Sequence, residues 1–122
     1  ELRIAVLLNL QIQGNNMTPA YQEFDLSSLL NQKMDAGIFS KTLFKSDEAN
    51  ITFMEMAAGE ELTEHTSRFG ATLHFISGRG EMTLGEENRE VCGNQLIHMP
   101  PELSHSLTAK ENLRFLIYMH KG

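Results

Sequence analysis

The side chains best able to do chemistry gather in one stretch, EHTSRFGATLHFISG, Glu64 to Gly78. It carries His65 and His74, two of the five histidines in the chain. An imidazole set among polar neighbours can ligate a metal, move a proton or anchor a hydrogen bond. No competing reaction centre is evident: there is no phosphate loop, dinucleotide fingerprint or nucleophile elbow. SGRGEMTLG holds Gly78, Gly80 and Gly85, but lacks the glycine order and the strand–turn–helix setting of a dinucleotide site. Those glycines fit turns. Cys92, beside Gly93 and ahead of a strand, has no nucleophile frame and reads as a small side chain.

The elements that must position these residues belong to a chain of 122 residues, enough for one domain with one core. Hydrophobic content of 41% and charged content of 21% are ordinary for a soluble globular protein. A net charge of -6 and a pI near 5.3 repel phosphate backbones, so nucleic acid is not an expected partner. A single cysteine forms no internal disulfide, and a reducing, cytoplasmic setting is expected.

In ELRIAVLLNLQIQ the even positions Leu2, Ile4, Val6, Leu8, Leu10 and Ile12 are all apolar. Period two predicts a half-buried strand over residues 2–12. The run lacks the basic start and cleavage site of a signal peptide and is too short to span a bilayer. No membrane association is expected. Residues 13–24 read as a connector. DLSSLLNQKMDAG predicts a short helix, with Asp25 or Ser27 as cap, Leu26, Leu29 and Leu30 on one face, and Gly37 at its end. After Gly37 everything reads as β. Strands are predicted near 40–45, 51–58, 71–77, 80–84, 95–99, 105–109 and 113–119, with GEENRE after Leu84 as a hairpin turn. Many short strands at close spacing point to a sandwich or barrel.

Two segments resemble the paired motifs of the cupins, small jelly-roll β-barrels. In GEELTEHTSRFGATLHFISG, Gly59, His65 and Gly78 keep the spacing of the first motif. Ser67 stands at its second histidine position and Ala71 at its glutamate position. In NQLIHMPPELSHSL, Pro100 and His105 keep the spacing of the second motif. Asn94 and Glu102 stand at its two glycine positions, and Ala109 replaces its asparagine. The resemblance covers residues 39 to 119. It implies an all-β cupin jelly-roll barrel with one short N-terminal helix: residues 1–38 as strand, connector and helix, and residues 39–122 as barrel, one domain overall.

The family's metal is held by His, His, Glu and His pointing into the barrel. Carried over by position, the resemblance leaves His65 and His105 as metal ligands for Fe, Mn, Ni, Cu or Zn, with Ser67 a weak donor and Ala71 none. His74, His98 and Glu55 rank behind them, and Glu102 falls in a turn. The alternation puts His74 opposite the inward set. The expected pocket is His65, Ser67, Ala71, Leu73, Phe75, His105 and Leu107: apolar, with a few polar points. On ITFMEM, either Ile51, Phe53 and Glu55 or Met54 and Met56 face inward. Arg68 and Arg79 read as solvated loop charges, the alternative being a place near the rim where they would favour an acid, and His120 is at the solvated C-terminal edge.

The resulting expectation is a barrel that binds a small organic molecule with weak or no metal. One alternative is a metal-dependent dioxygenase or isomerase using His65 and His105. Another is a ligand sensor or assembly module. A homodimer through sheet extension by residues 2–12 is the expected assembly.

Overall fold

From Ile38 onward, apolar side chains alternate with polar ones or fall in short runs between turns. In the computed structural model, which describes residues 20–121, that pattern becomes nine strands in two antiparallel sheets. They are β1 (Ile38–Lys45), β2 (Ala49–Met56), β3 (Glu61–His65), β4 (Gly70–Ser77), β5 (Arg79–Leu84), β6 (Glu87–Cys92), β7 (Gln95–Met99), β8 (His105–Ala109) and β9 (Leu113–His120). One sheet has five strands in the order β1-β2-β9-β4-β7, the other four in the order β3-β8-β5-β6. The strand expected over residues 2–12, and the dimer built on it, lie outside the described residues.

The core lies between the sheets. Met54 and Met56 of β2, Leu73 and Phe75 of β4, Met82 of β5, Leu107 of β8 and Leu113 and Phe115 of β9 fill it. Phe75 and Phe115 meet at a centroid distance of 5.3 Å. Each such side chain contributes about 1.5–3 kcal/mol by leaving water. The choice left open on ITFMEM is thereby settled: the methionines point between the sheets, while Phe53 and Glu55 point to the outer face of the five-stranded sheet. There Phe53 and Leu116 are covered by Leu29.

Leu29 belongs to α1 (Ser27–Leu30), a single turn rather than the helix expected to run on to Gly37. Asp25 does help start it, accepting the Ser27 N–H at 2.9 Å. Past the turn the chain is tied to β9 and its approach instead. Gln32 O accepts from Arg114 Nη2, and Met34 O accepts from Asn112 Nδ2 at 2.8 Å. Tertiary bonds outweigh the weak propensity of so short a helix.

Two strands differ from the sequence reading. β3 was not among the expected strands, and four residues of GEENRE belong to β6, so that the turn is only Gly85–Glu86. Both strands lie at edges of the four-stranded sheet and carry exposed charges, as edge strands commonly do. Between β4 and β5 the glycine requirement is strict. Gly78 has φ +91°, and a Cβ there would lie 2.0 Å from Asn112 O. No helix of the described residues is long and apolar enough to cross a membrane.

Candidate functional site

His65 and His105 are brought together by a local irregularity. β3 pairs with β8 as Glu61↔Thr108 and Leu62↔Leu107, and an unbroken ladder would then set Glu64 against His105. A β-bulge between Leu62 and His65 shifts the register by one, so the partner is His65. Because side chains alternate between faces, that one residue decides whether an imidazole or a carboxylate is aimed at the mouth. The two rings meet edge to face with centroids 4.2 Å apart.

Each ring is also fixed in tautomer. His65 Nδ1 lies 2.7 Å from Thr63 O, and His105 Nδ1 lies 2.8 Å from Leu103 O. A carbonyl oxygen can only accept, so both Nδ1 atoms carry the proton. In the neutral rings Nε2 is left with its lone pair.

Behind the imidazoles lies a cavity of about 170 Å³. His65, Ser67, Ala71, Leu73, His105 and Leu107 line it, together with Leu62, Phe69, Met82, Met99, Pro100, Leu103, Phe115, Ile117 and Met119. Three of the chain's seven methionines are thus in the wall, a flexible and polarizable lining. Those on β9, Ile117 and Met119, were legible in principle: they continue the inward parity of Leu113 and Phe115. Ser67 shapes the mouth through its loop. Its Oγ accepts the Phe69 N–H at 3.2 Å, and its carbonyl accepts the Glu102 N–H at 2.7 Å.

Other residues singled out in the sequence lie elsewhere. Phe75 points inward but is not in the wall: it is fully buried against Phe115. His74 and His98 project from the outer face of the five-stranded sheet, where His98 Nδ1 lies 2.9 Å from Thr72 Oγ1. Glu55 is on that outer face too, fully buried, with Oε2 3.3 Å from Arg114 Nε. As metal ligands for the His65–His105 pair these three are therefore excluded by facing. Glu102 is exposed in the turn before β8. Arg68 stacks over Phe69 at 4.9 Å, while Arg79 is engaged by Glu111 at 3.2 Å.

The donor set does not fit the family's metal. The residues at its second and third ligand positions, Ser67 and Ala71, supply a hydroxyl and a methyl group. Among the described residues no group of three or more His, Cys, Asp or Glu is placed to hold an ion. Two protein ligands fall short of the three of a typical catalytic zinc site.

The architecture recurs in solved structures. A conserved Streptococcus pyogenes protein of unknown function is 30% identical, with a TM-score of 0.73, over 88% of this chain and 93% of that one. A cupin superfamily protein from Desulfitobacterium hafniense is 16% identical, with a TM-score of 0.74, over 84% and 94%. This chain has the cupin fold. An RmlC-like cupin from Methanocaldococcus jannaschii, described as a double-stranded β-helix, has a TM-score of 0.64 at 18% identity, over 74% of this chain and 86% of that one. No protein-family model and no curated protein matches the sequence. On that fold sits a mouth of two imidazoles, each with Nδ1 bonded to a backbone carbonyl, over a nearly all-apolar cavity.

Proposed function

We propose that this cupin-fold protein binds a small, mainly apolar molecule in its barrel, with the molecule's one polar group held at the mouth by His65 and His105. The observation that carries the reading is the pair of Nδ1–H bonds to Thr63 O and Leu103 O. With Nδ1 committed to the backbone, each neutral ring offers a ligand only the Nε2 lone pair. Such a mouth accepts hydrogen bonds, which favours an alcohol, phenol or amine over a carboxylate. The cavity of about 170 Å³ is close to the apolar cavity of about 150 Å³ that takes benzene, so the body of the ligand is ring-sized.

Phenol and benzyl alcohol, titrated against toluene and benzoate and followed by the His65 and His105 ring signals, test this. The two hydroxyl compounds should bind more tightly than toluene or benzoate. His65→Ala or His105→Ala should weaken them by about tenfold, the worth of one hydrogen bond to a ring nitrogen. Binding of no hydroxyl compound, or binding indifferent to both substitutions, would remove the proposal.

The same two hydrogen bonds favour a second reading. Metal-ligating histidines commonly donate their other N–H to a backbone carbonyl. On that reading the protein is a metal-dependent dioxygenase or isomerase, with His65 and His105 as ligands. It ranks second because the donor set is short. Near-stoichiometric metal in protein purified without chelator, lost in His65→Ala, would reverse the ranking.

A further inference from the structure

On the sheet face turned away from the barrel, donor atoms from three strands converge. Thr72 Oγ1 of β4 lies 2.9 Å from His98 Nδ1 of β7 and 3.1 Å from His120 Nε2 of β9. The ring centroids are 5.8 Å apart. The sheet register sets this geometry, since His98 is directly opposite Thr72 and His120 is opposite Gly70 on the same face of β4. Both imidazoles are exposed, and neither forms an ion pair among the described residues.

The hydroxyl has one proton. It can donate to only one ring nitrogen, so at most one of the two rings meets it through an accepting lone pair; the other must donate its own N–H. Three electronegative atoms are therefore gathered round one point and held together by protons alone. A cation that prefers imidazole can replace those protons. The rings would have to close from hydrogen-bond distance to about 2.0–2.1 Å from the ion, an adjustment within reach of exposed side chains on fixed strands.

We propose that His98 and His120, with Thr72 between them, form a surface site for a divalent transition cation, copper(II) foremost and nickel and zinc after it. The site is separate from the barrel mouth, because its side chains leave the opposite face of β4, β7 and β9. Its two nitrogens and neutral hydroxyl make it a modest site completed by water. It does not depend on what the barrel binds.

The test uses the untagged chain, stripped with chelator and titrated with copper(II) at neutral pH. Calorimetry gives the stoichiometry, and paramagnetic broadening of ring signals gives the location. The background carries His65→Gln and His105→Gln, which removes the imidazoles at the mouth. One equivalent should still bind and should broaden His98 and His120 well before His74, the remaining imidazole on the same face. Adding His98→Gln or His120→Gln should weaken binding by at least about tenfold. All these positions are exposed or at the cavity mouth, and an unchanged amide spectrum verifies the fold of each variant. The site is ruled out if the background protein binds no copper, if neither outer substitution weakens binding, or if His74 broadens equally.

Discussion

Asn94 and Glu102 hold φ values of 70° and 69°, the left-handed region that glycine enters freely. They stand at the two glycine positions of the second cupin motif, so the backbone has kept its turns after losing the residues that make them easy. Asparagine tolerates this conformation better than glutamate. Glu102→Gly should relieve about 1–2 kcal/mol of strain against about 0.5–1 kcal/mol of added chain entropy. A net gain of about 1 kcal/mol in urea unfolding is expected, and a smaller one for Asn94→Gly. The buried Glu55–Arg114 pair behaves in the opposite way. The two groups lie 3.3 Å apart without an aligned hydrogen bond, so mainly charge holds them. Arg114→Met should cost about 3–5 kcal/mol by stranding the carboxylate, and adding Glu55→Leu should recover most of it. The meeting of His65 with His105 was legible from motif spacing. The fate of Glu55 was not, because alternation on β2 leaves two faces equally plausible until β9 supplies the arginine.

At the scale of the element, the bulge in β3 is what aims His65. Deleting Glu64 removes the extra residue and moves His65 into the slot that an unbroken ladder places opposite His105. The deletion variant should therefore keep the contact between the two rings, read as a cross-peak between their ring protons. Loss of that cross-peak in a folded variant would show that the bulge does more than set parity. Such a device is hard to see in a sequence, since ELTEH has no alternation to violate. The same holds for ENREVC, whose sole buried residue is Val91. Strands with a buried face, such as ATLHFIS and LRFLIYMH, were legible because the core imprints its period on them. The helix after Asp25 was over-read for a related reason. Its leucines were visible, but the side chains of Asn112 and Arg114 that capture its later carbonyls come roughly eighty positions downstream.

The whole molecule keeps its cavity against its own stability. At about 24 cal/mol per Å³, a void of 170 Å³ costs up to about 4 kcal/mol, less whatever water recovers at the open mouth. A barrel with no use for the space could close it with one larger side chain. Ala71 is the place to do so. It lines the cavity, is 5% exposed, and stands where the family motif has glutamate. Ala71→Leu adds three carbons to that void, which at about 0.8 kcal/mol each is worth up to about 2 kcal/mol. The variant should melt several degrees higher than the parent. It should also lose the stabilisation a bound molecule gives, about 2.7 kcal/mol at a hundredfold excess over its dissociation constant. Greater stability with binding lost would show that the empty space is kept for an occupant. A variant that melts lower would mean the space cannot accept a branched side chain, and one that melts higher yet still responds to phenol would move the binding site away from Ala71.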